Sequence, residues 1–134
     1  MALKYVLDTS AYSAFNRNQH NLGRFINPNN EIFIPLIVIA ELRAGFKTGS
    51  REQFNELLLS NLLDTPNITI LQPSEKTTKS YAQIYSQLRR IGKPISTNDI
   101  WIAALCLEHE LPILTLDTDF RHIKNLVCID ILKS

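Results

Sequence analysis

Short apolar runs of β-forming residues alternate along this chain with longer segments of helical period. That alternation restricts the fold more than any other feature. Tyr5-Val6-Leu7, Ile32-Phe33-Ile34, Ile68-Thr69-Ile70-Leu71, Ile113-Leu114-Thr115-Leu116 and Leu126-Val127-Cys128-Ile129 read as strands. They are apolar throughout rather than alternating, the pattern of strands covered on both faces. The capping string Asp8-Thr9-Ser10 announces a first helix through Ala11 to Phe15. Pro35 suits the first position of a second helix running to about Phe46, because its missing N–H costs nothing there. Ser50 and Gln53 match a capping box before the apolar stripe Phe54, Leu57, Leu58 and Leu62. A long helix from Ser74 carries Tyr81, Ile84, Tyr85 and Leu88 on one face and stops at Gly92. A last helix starts near Asn98 and is blocked by Pro112. Strands alternating with helices predict an α/β/α sandwich with a mostly parallel central sheet of about five short strands. The 134 residues, without repeat or linker, fit a single domain spanning 1–134.

The net charge is only +1, so a polyanion has to be held by local patches rather than by the field of the whole molecule. The longest apolar run, Ile32 to Ala40, is too short to cross a bilayer and is punctuated by Pro35 and Glu41. No leader-like segment precedes the first strand, and Cys106 and Cys128 lie in apolar stretches without a Cys-x-x-Cys pairing. These features predict a cytoplasmic protein without membrane attachment. His20, His109 and His122 have no zinc spacing.

Four carboxylates stand where these elements meet turns. Asp8 closes the first strand, Glu41 lies in the second helix, Asp99 opens the last helix and Asp117 ends the fourth strand. Apolar residues surround each, and a buried carboxylate is costly unless its charge is compensated. If the four converge, the shared compensation is a divalent cation held through oxygen. Such a site activates water and stabilises the leaving oxygen of a phosphodiester. Gly-x-Ser-x-Gly and Gly-rich phosphate loops are absent from the sequence. In parallel sheets ligands gather at strand carboxyl ends, which is where Asp8 and Asp117 fall.

Val6-Leu7-Asp8-Thr9-Ser10, Ala40-Glu41-Leu42-x-x-Gly45, Thr97-Asn98-Asp99-x-x-Ile102-Ala103-Ala104 and Leu114-Thr115-Leu116-Asp117-x-Asp119-Phe120 resemble the PIN-domain ribonucleases. The match is nearest to the VapC toxins of VapBC toxin–antitoxin pairs and runs from about residue 3 to residue 130. The resemblance implies a PIN-like α/β/α sandwich and a Mg²⁺- or Mn²⁺-dependent endoribonuclease leaving 5′-phosphate and 3′-hydroxyl ends. It also implies a homodimer silenced by a VapB-like antitoxin. By resemblance Asp8 and Asp99 are direct metal ligands, Glu41 completes the site or holds water, and Asp117 supports a second metal position. Thr9 and Thr115 match hydroxyl positions that orient the carboxylates.

Each acid also has a purely structural explanation. Asp8 could only cap the first helix. Glu41 could pair with Arg43 or Lys47 on a solvated face. Asp99 could only complement the helix dipole. Asp119 competes with Asp117: in an extended strand the two side chains share a direction, while Asp119 could instead cap a turn before Phe120. Asp117 is preferred. Arg43, Lys47, Arg89, Arg90 and Lys93 are candidates for RNA phosphates, and Trp101 for stacking on a base, with packing the alternative. The Leu57/Leu58/Leu62 and Tyr81/Tyr85/Leu88 stripes are core or dimer surface. A PIN-type nuclease in RNA processing or DNA-end trimming, or a PIN-like module that binds without cutting, are the alternatives to a toxin. A dehalogenase-like phosphoryl transfer through Asp8 wants a second aspartate where Ser10 stands.

Overall fold

Lys4–Leu7 (β1), Glu31–Pro35 (β2), Ile68–Leu71 (β3) and Ile113–Leu114 (β4) form one sheet in the order β3-β2-β1-β4. Every neighbouring pair is parallel. The structure, a computed structural model, describes residues 2–132; Met1, Lys133 and Ser134, the ends of the expected 1–134 domain, lie outside the described residues. The helices are Thr9–Asn16 (α1), Leu36–Thr48 (α2), Glu52–Leu63 (α3), Thr77–Arg90 (α4) and Thr97–Glu108 (α5), with 3-10 turns at Leu22–Arg24 and Thr118–His122.

The chain steps outward from β1 to β2 to β3, then returns to place β4 on the other side of β1. The order therefore reverses between β1 and β4, whose carboxyl ends are paired at Leu7 and Leu114. Helix α2 packs against α1 and α3, and α4 against α5; with the right-handed crossovers usual between parallel strands, the outward and returning steps carry these two groups to opposite faces. Tyr5, Val6 and Leu7 are completely buried, as expected of a central strand with both faces covered. Helix α5 buries Ile102, Ala103, Ala104, Leu105 and Cys106 in succession, so it is apolar all round rather than on one stripe. No helix among the described residues is long and apolar enough to cross a membrane.

Three expectations are corrected. There are four strands, not about five. The apolar run at 126–129 meets β4 only at one bridge, Ile113 to Cys128, because β4 lasts two residues before Thr115 turns toward Asp8. The Ser50/Gln53 capping box does not form. Helix α3 starts at Glu52 with Arg51 at the cap and no side-chain cap bond, and Glu52 pairs instead with Lys47. Pro35 ends β2 and caps α2 with extended backbone (φ −60°, ψ 141°) rather than sitting inside it. The α3 stripe, expected as core or dimer surface, is divided: Leu62 packs against the core, while Phe54 and Leu57 are exposed.

Candidate functional site

Strand β1 ends at Leu7, and Asp8 turns the chain into α1. Its Oδ1 accepts from the Ala11 N–H (3.0 Å) and the Ser10 hydroxyl (2.9 Å), and its Oδ2 from the Thr115 hydroxyl (2.5 Å). The capping explanation is therefore correct, but incomplete. Asp8 is only 4% exposed, and a capping aspartate normally keeps its charge in water. The Ser10 hydroxyl accepts in turn from the Leu116 N–H (3.0 Å), and the Thr115 hydroxyl from the Asp117 N–H (3.0 Å). Each hydroxyl thus spends its hydrogen on Asp8 and its lone pair on the segment after β4, tying the ends of adjacent strands together.

Glu41 projects from α2 and is held from two sides. Oε1 accepts from Thr9 at the start of α1 (2.8 Å), and Oε2 from Asn98 Nδ2 at the start of α5 (3.3 Å). It does not pair with Arg43 or Lys47, which bond Glu56 and Glu52 at 2.8 Å each. Asp99 stands in the first turn of α5, where its N–H donates to the Ser96 hydroxyl at 3.2 Å. Asp117 caps the second 3-10 turn by accepting from the Asp119 N–H at 2.9 Å. The chain is therefore not extended there, and Asp119 lies exposed on the turn.

Burial raises the Asp8 carboxyl above its ordinary range. The hydrogen bonds from Thr115, Ala11 and Ser10 oppose that rise, and the charge of Asp117 adds to it. Asp99 is also raised, first by burial, with Ser96 opposing and the charges of Asp117, Glu41 and Asp8 adding. All four acids therefore feel one another at Asp99, while Asp119 plays no part in either shift.

The donor set suits a hard divalent cation, since it is all carboxylate and carries uncompensated negative charge. As they stand, no three acidic, histidine or cysteine side chains among the described residues share one ligating position. The reason is visible in the hydrogen bonds. Asp8, Glu41 and Asp117 are each turned to their own donors, which separates charges that would otherwise repel.

Sequence reasoning did not single out Ser10 and Asn98. Ser10 was visible in the Asp-Thr-Ser string, but a caps-only reading hides its second bond to Leu116. Asn98 became significant only when α5 met α2. Trp101, two residues beyond Asp99 and so on the opposite side of α5, packs against Tyr81 with ring centroids 4.5 Å apart. Arg89 lies over the Tyr85 ring and donates to its hydroxyl. Arg90 and Lys93 are exposed near the α4–α5 connection.

The PIN domain family model matches residues 5–126, and the chain belongs to that family. Within the family its relatives are VapC ribonucleases. It is 25% identical over 128 residues to Ribonuclease VapC5 of Mycobacterium tuberculosis, covering 96% of this chain and 93% of that protein. It is 30% identical over 127 residues to Ribonuclease VapC1 of Haemophilus influenzae, covering 91% and 93%. The fold superimposes on a chain of VapBC2 from Rickettsia felis, a complex bound to a DNA fragment from its promoter, with a TM-score of 0.81. That chain is 27% identical, and the match covers 95% of this chain and 98% of that one.

Proposed function

We propose that this chain is the toxin of a toxin–antitoxin pair and hydrolyses RNA phosphodiester bonds at the Asp8, Glu41, Asp99 and Asp117 cluster with the help of Mg²⁺ or Mn²⁺. One observation carries the reading: in a PIN-family chain, hydrogen bonds join Asp8 at the end of β1 to the segment that bears Asp117, and join Glu41 to the starts of α1 and α5, next to Asp8 and Asp99. Asp8 and Asp99 would hold the ion, with Glu41 completing the set or orienting water and Asp117 supporting a second position. When bound, the ion supplies charge neutralisation and activation of the attacking water.

The remaining work falls to the chain itself. Asp8, held by three donors, gives an anionic ligand of fixed direction. Thr115 and Ser10 couple that direction to the 115–117 backbone and hence to Asp117. Thr9 and Asn98 hold both Glu41 oxygens across α1, α2 and α5.

The partner is a VapB-like antitoxin. Phe54 and Leu57, one helical turn apart and 48% and 60% exposed, offer apolar surface for a protein partner. The protein is a homodimer acting in the cytoplasm, and residues 1–134 are one domain. The test is to express the chain with and without the small open reading frame immediately upstream. Growth arrest and Mg²⁺-dependent RNA cleavage, both relieved by co-expression and both lost in Asp8→Asn, are expected. Cleavage at the wild-type rate by Asp8→Asn would sink the site assignment.

A further inference from the structure

We propose that the cleft beside Asp117 seats the nucleotide next to the scissile phosphate, with Arg121 binding backbone phosphate and His20 forming the opposite rim. This rests on the nuclease reading above. A cavity of about 270 Å³ is lined by Thr115, Asp117 and Thr118 together with the 128–132 segment. It is continuous with the acid cluster, because Thr115 and Asp117 belong to both.

Its chemistry is that of a nucleotide in negative. Leu116, Ile129 and Ile131 make an apolar wall suited to a base, while Arg121, Thr118 and His20 stand among the lining. Asp130 also lines it and accepts from the Leu132 N–H. With carboxylates at Asp117 and Asp130, an anionic phosphate is admitted only on the Arg121 side. Cys128 lines the same cavity as Arg121.

His20 is held at the cleft by unusual backbone. Asn18, His20 and Asn21 all have positive φ (56°, 59° and 51°), a conformation that L residues adopt at a cost and that clusters at functional loops.

The arrangement of cations selects the same side. Arg43 and Lys47, on the helix that carries Glu41, are engaged with Glu56 and Glu52. Arg121 has no ion pair among the described residues, nor do Lys124 and Arg90, which line a second groove just past the 3-10 turn. Gln87 fixes that stretch by bonding the His122 carbonyl and the Lys124 N–H (2.9 and 3.0 Å). A phosphodiester strand leaving the acids therefore meets uncommitted positive charge over the 3-10 turn and committed charge over α2.

The test uses a labelled single-stranded RNA oligonucleotide and the Asp99→Asn protein in Mg²⁺, titrated with salt. Arg121→Gln is expected to weaken binding about tenfold and to reduce the slope of log K against log salt by about 0.7, the loss of one phosphate contact. Arg121→Lys should restore the slope, and Arg43→Gln should leave it unchanged. In the otherwise wild-type enzyme, His20→Ala should raise KM more than it lowers kcat. An unaltered slope in Arg121→Gln, or a loss that follows Arg43→Gln instead, overturns the subsite while wild-type cleavage still stands. If the wild-type protein neither binds nor cuts RNA, the nuclease reading falls and the subsite with it.

Discussion

Replacing Thr115 by valine keeps the shape of a buried side chain and removes only its hydroxyl. That hydroxyl donates to Asp8 Oδ2 at 2.5 Å and accepts from the Asp117 N–H at 3.0 Å. A hydrogen bond to a charged group contributes about 1.5–3 kcal/mol, and a stranded buried donor costs about 1–3 kcal/mol. Partial access of water to the 115–117 segment reduces the second figure, so the expected loss is about 3 kcal/mol at neutral pH. With an unfolding entropy of about 2.1 cal/mol/K per residue, 134 residues convert that into a melting temperature lower by about 10 °C. The loss should depend on pH with a definite sign. The Thr115 bond holds the Asp8 carboxyl down against the rise caused by burial, so its removal raises that carboxyl further. The gap between variant and wild type is widest where Asp8 is ionised and closes as pH falls and Asp8 takes up a proton. Calorimetry or circular-dichroism melts in EDTA at about pH 7.5 and about pH 4.5 measure both quantities. Thr115→Ser, which keeps the hydroxyl, should recover most of the loss. A valine variant melting within about 2 °C of wild type at neutral pH, or an equal gap at both pH values, refutes the reasoning.

Asp8→Asn should lower Mg²⁺-dependent RNA cleavage by at least about 100-fold and leave the circular-dichroism spectrum intact, since one amide oxygen still accepts from Ala11. Mg²⁺ or Mn²⁺ at about ten times its dissociation constant should stabilise the protein by about 1.4 kcal/mol, or about 5 °C; a melting temperature insensitive to millimolar metal at constant ionic strength counts against a converged site. In EDTA, the raised Asp8 and Asp99 carboxyls hold protons more tightly in the folded than in the unfolded chain. Their share of stability is therefore gained as pH falls through the raised folded values and lost again as it climbs above them, and melts across that range that show the opposite trend exclude the rise by burial and neighbouring charge. Asp99→Asn should accordingly melt above wild type without metal and lose the stabilisation by metal.

The places where sequence reasoning stopped short share a cause. The run at 126–129 has strand composition, but a strand needs a neighbour of matching length, and β4 gives it a single bridging residue. Phe54, Leu57, Leu58 and Leu62 have helical spacing, but spacing does not say how deeply each position of α3 is buried, and Leu59, outside that stripe, is fully buried while Phe54 and Leu57 are exposed. For Asp117 and Asp119 the sequence allowed an extended strand with both side chains on one side, or a turn capped by Asp119, and the structure takes neither course. The strand does not stay extended; it turns, and Asp117 caps the turn with Asp119 on its outer side. The cationic candidates were chosen for charge alone, which could not reveal that Arg43 and Lys47 have carboxylate partners one helix away.

Local chemistry, read along the chain, was enough to establish the parallel α/β plan and the placing of Asp8 and Asp117 at strand ends, and to nominate four acids for the proposed site. Those properties depend on side-chain period, turn residues and the residues immediately beside each carboxylate. The bonds that join Asp8 to the segment after β4 and Glu41 to both α1 and α5 depend on pairs such as Ser10 with Leu116 and Asn98 with Glu41, 106 and 57 residues apart. Only the reversal of strand order between β1 and β4 brings those partners within reach. It is also what gathers four negative charges at one edge of the sheet, a cost that the sequence hinted at and that tertiary structure alone imposed.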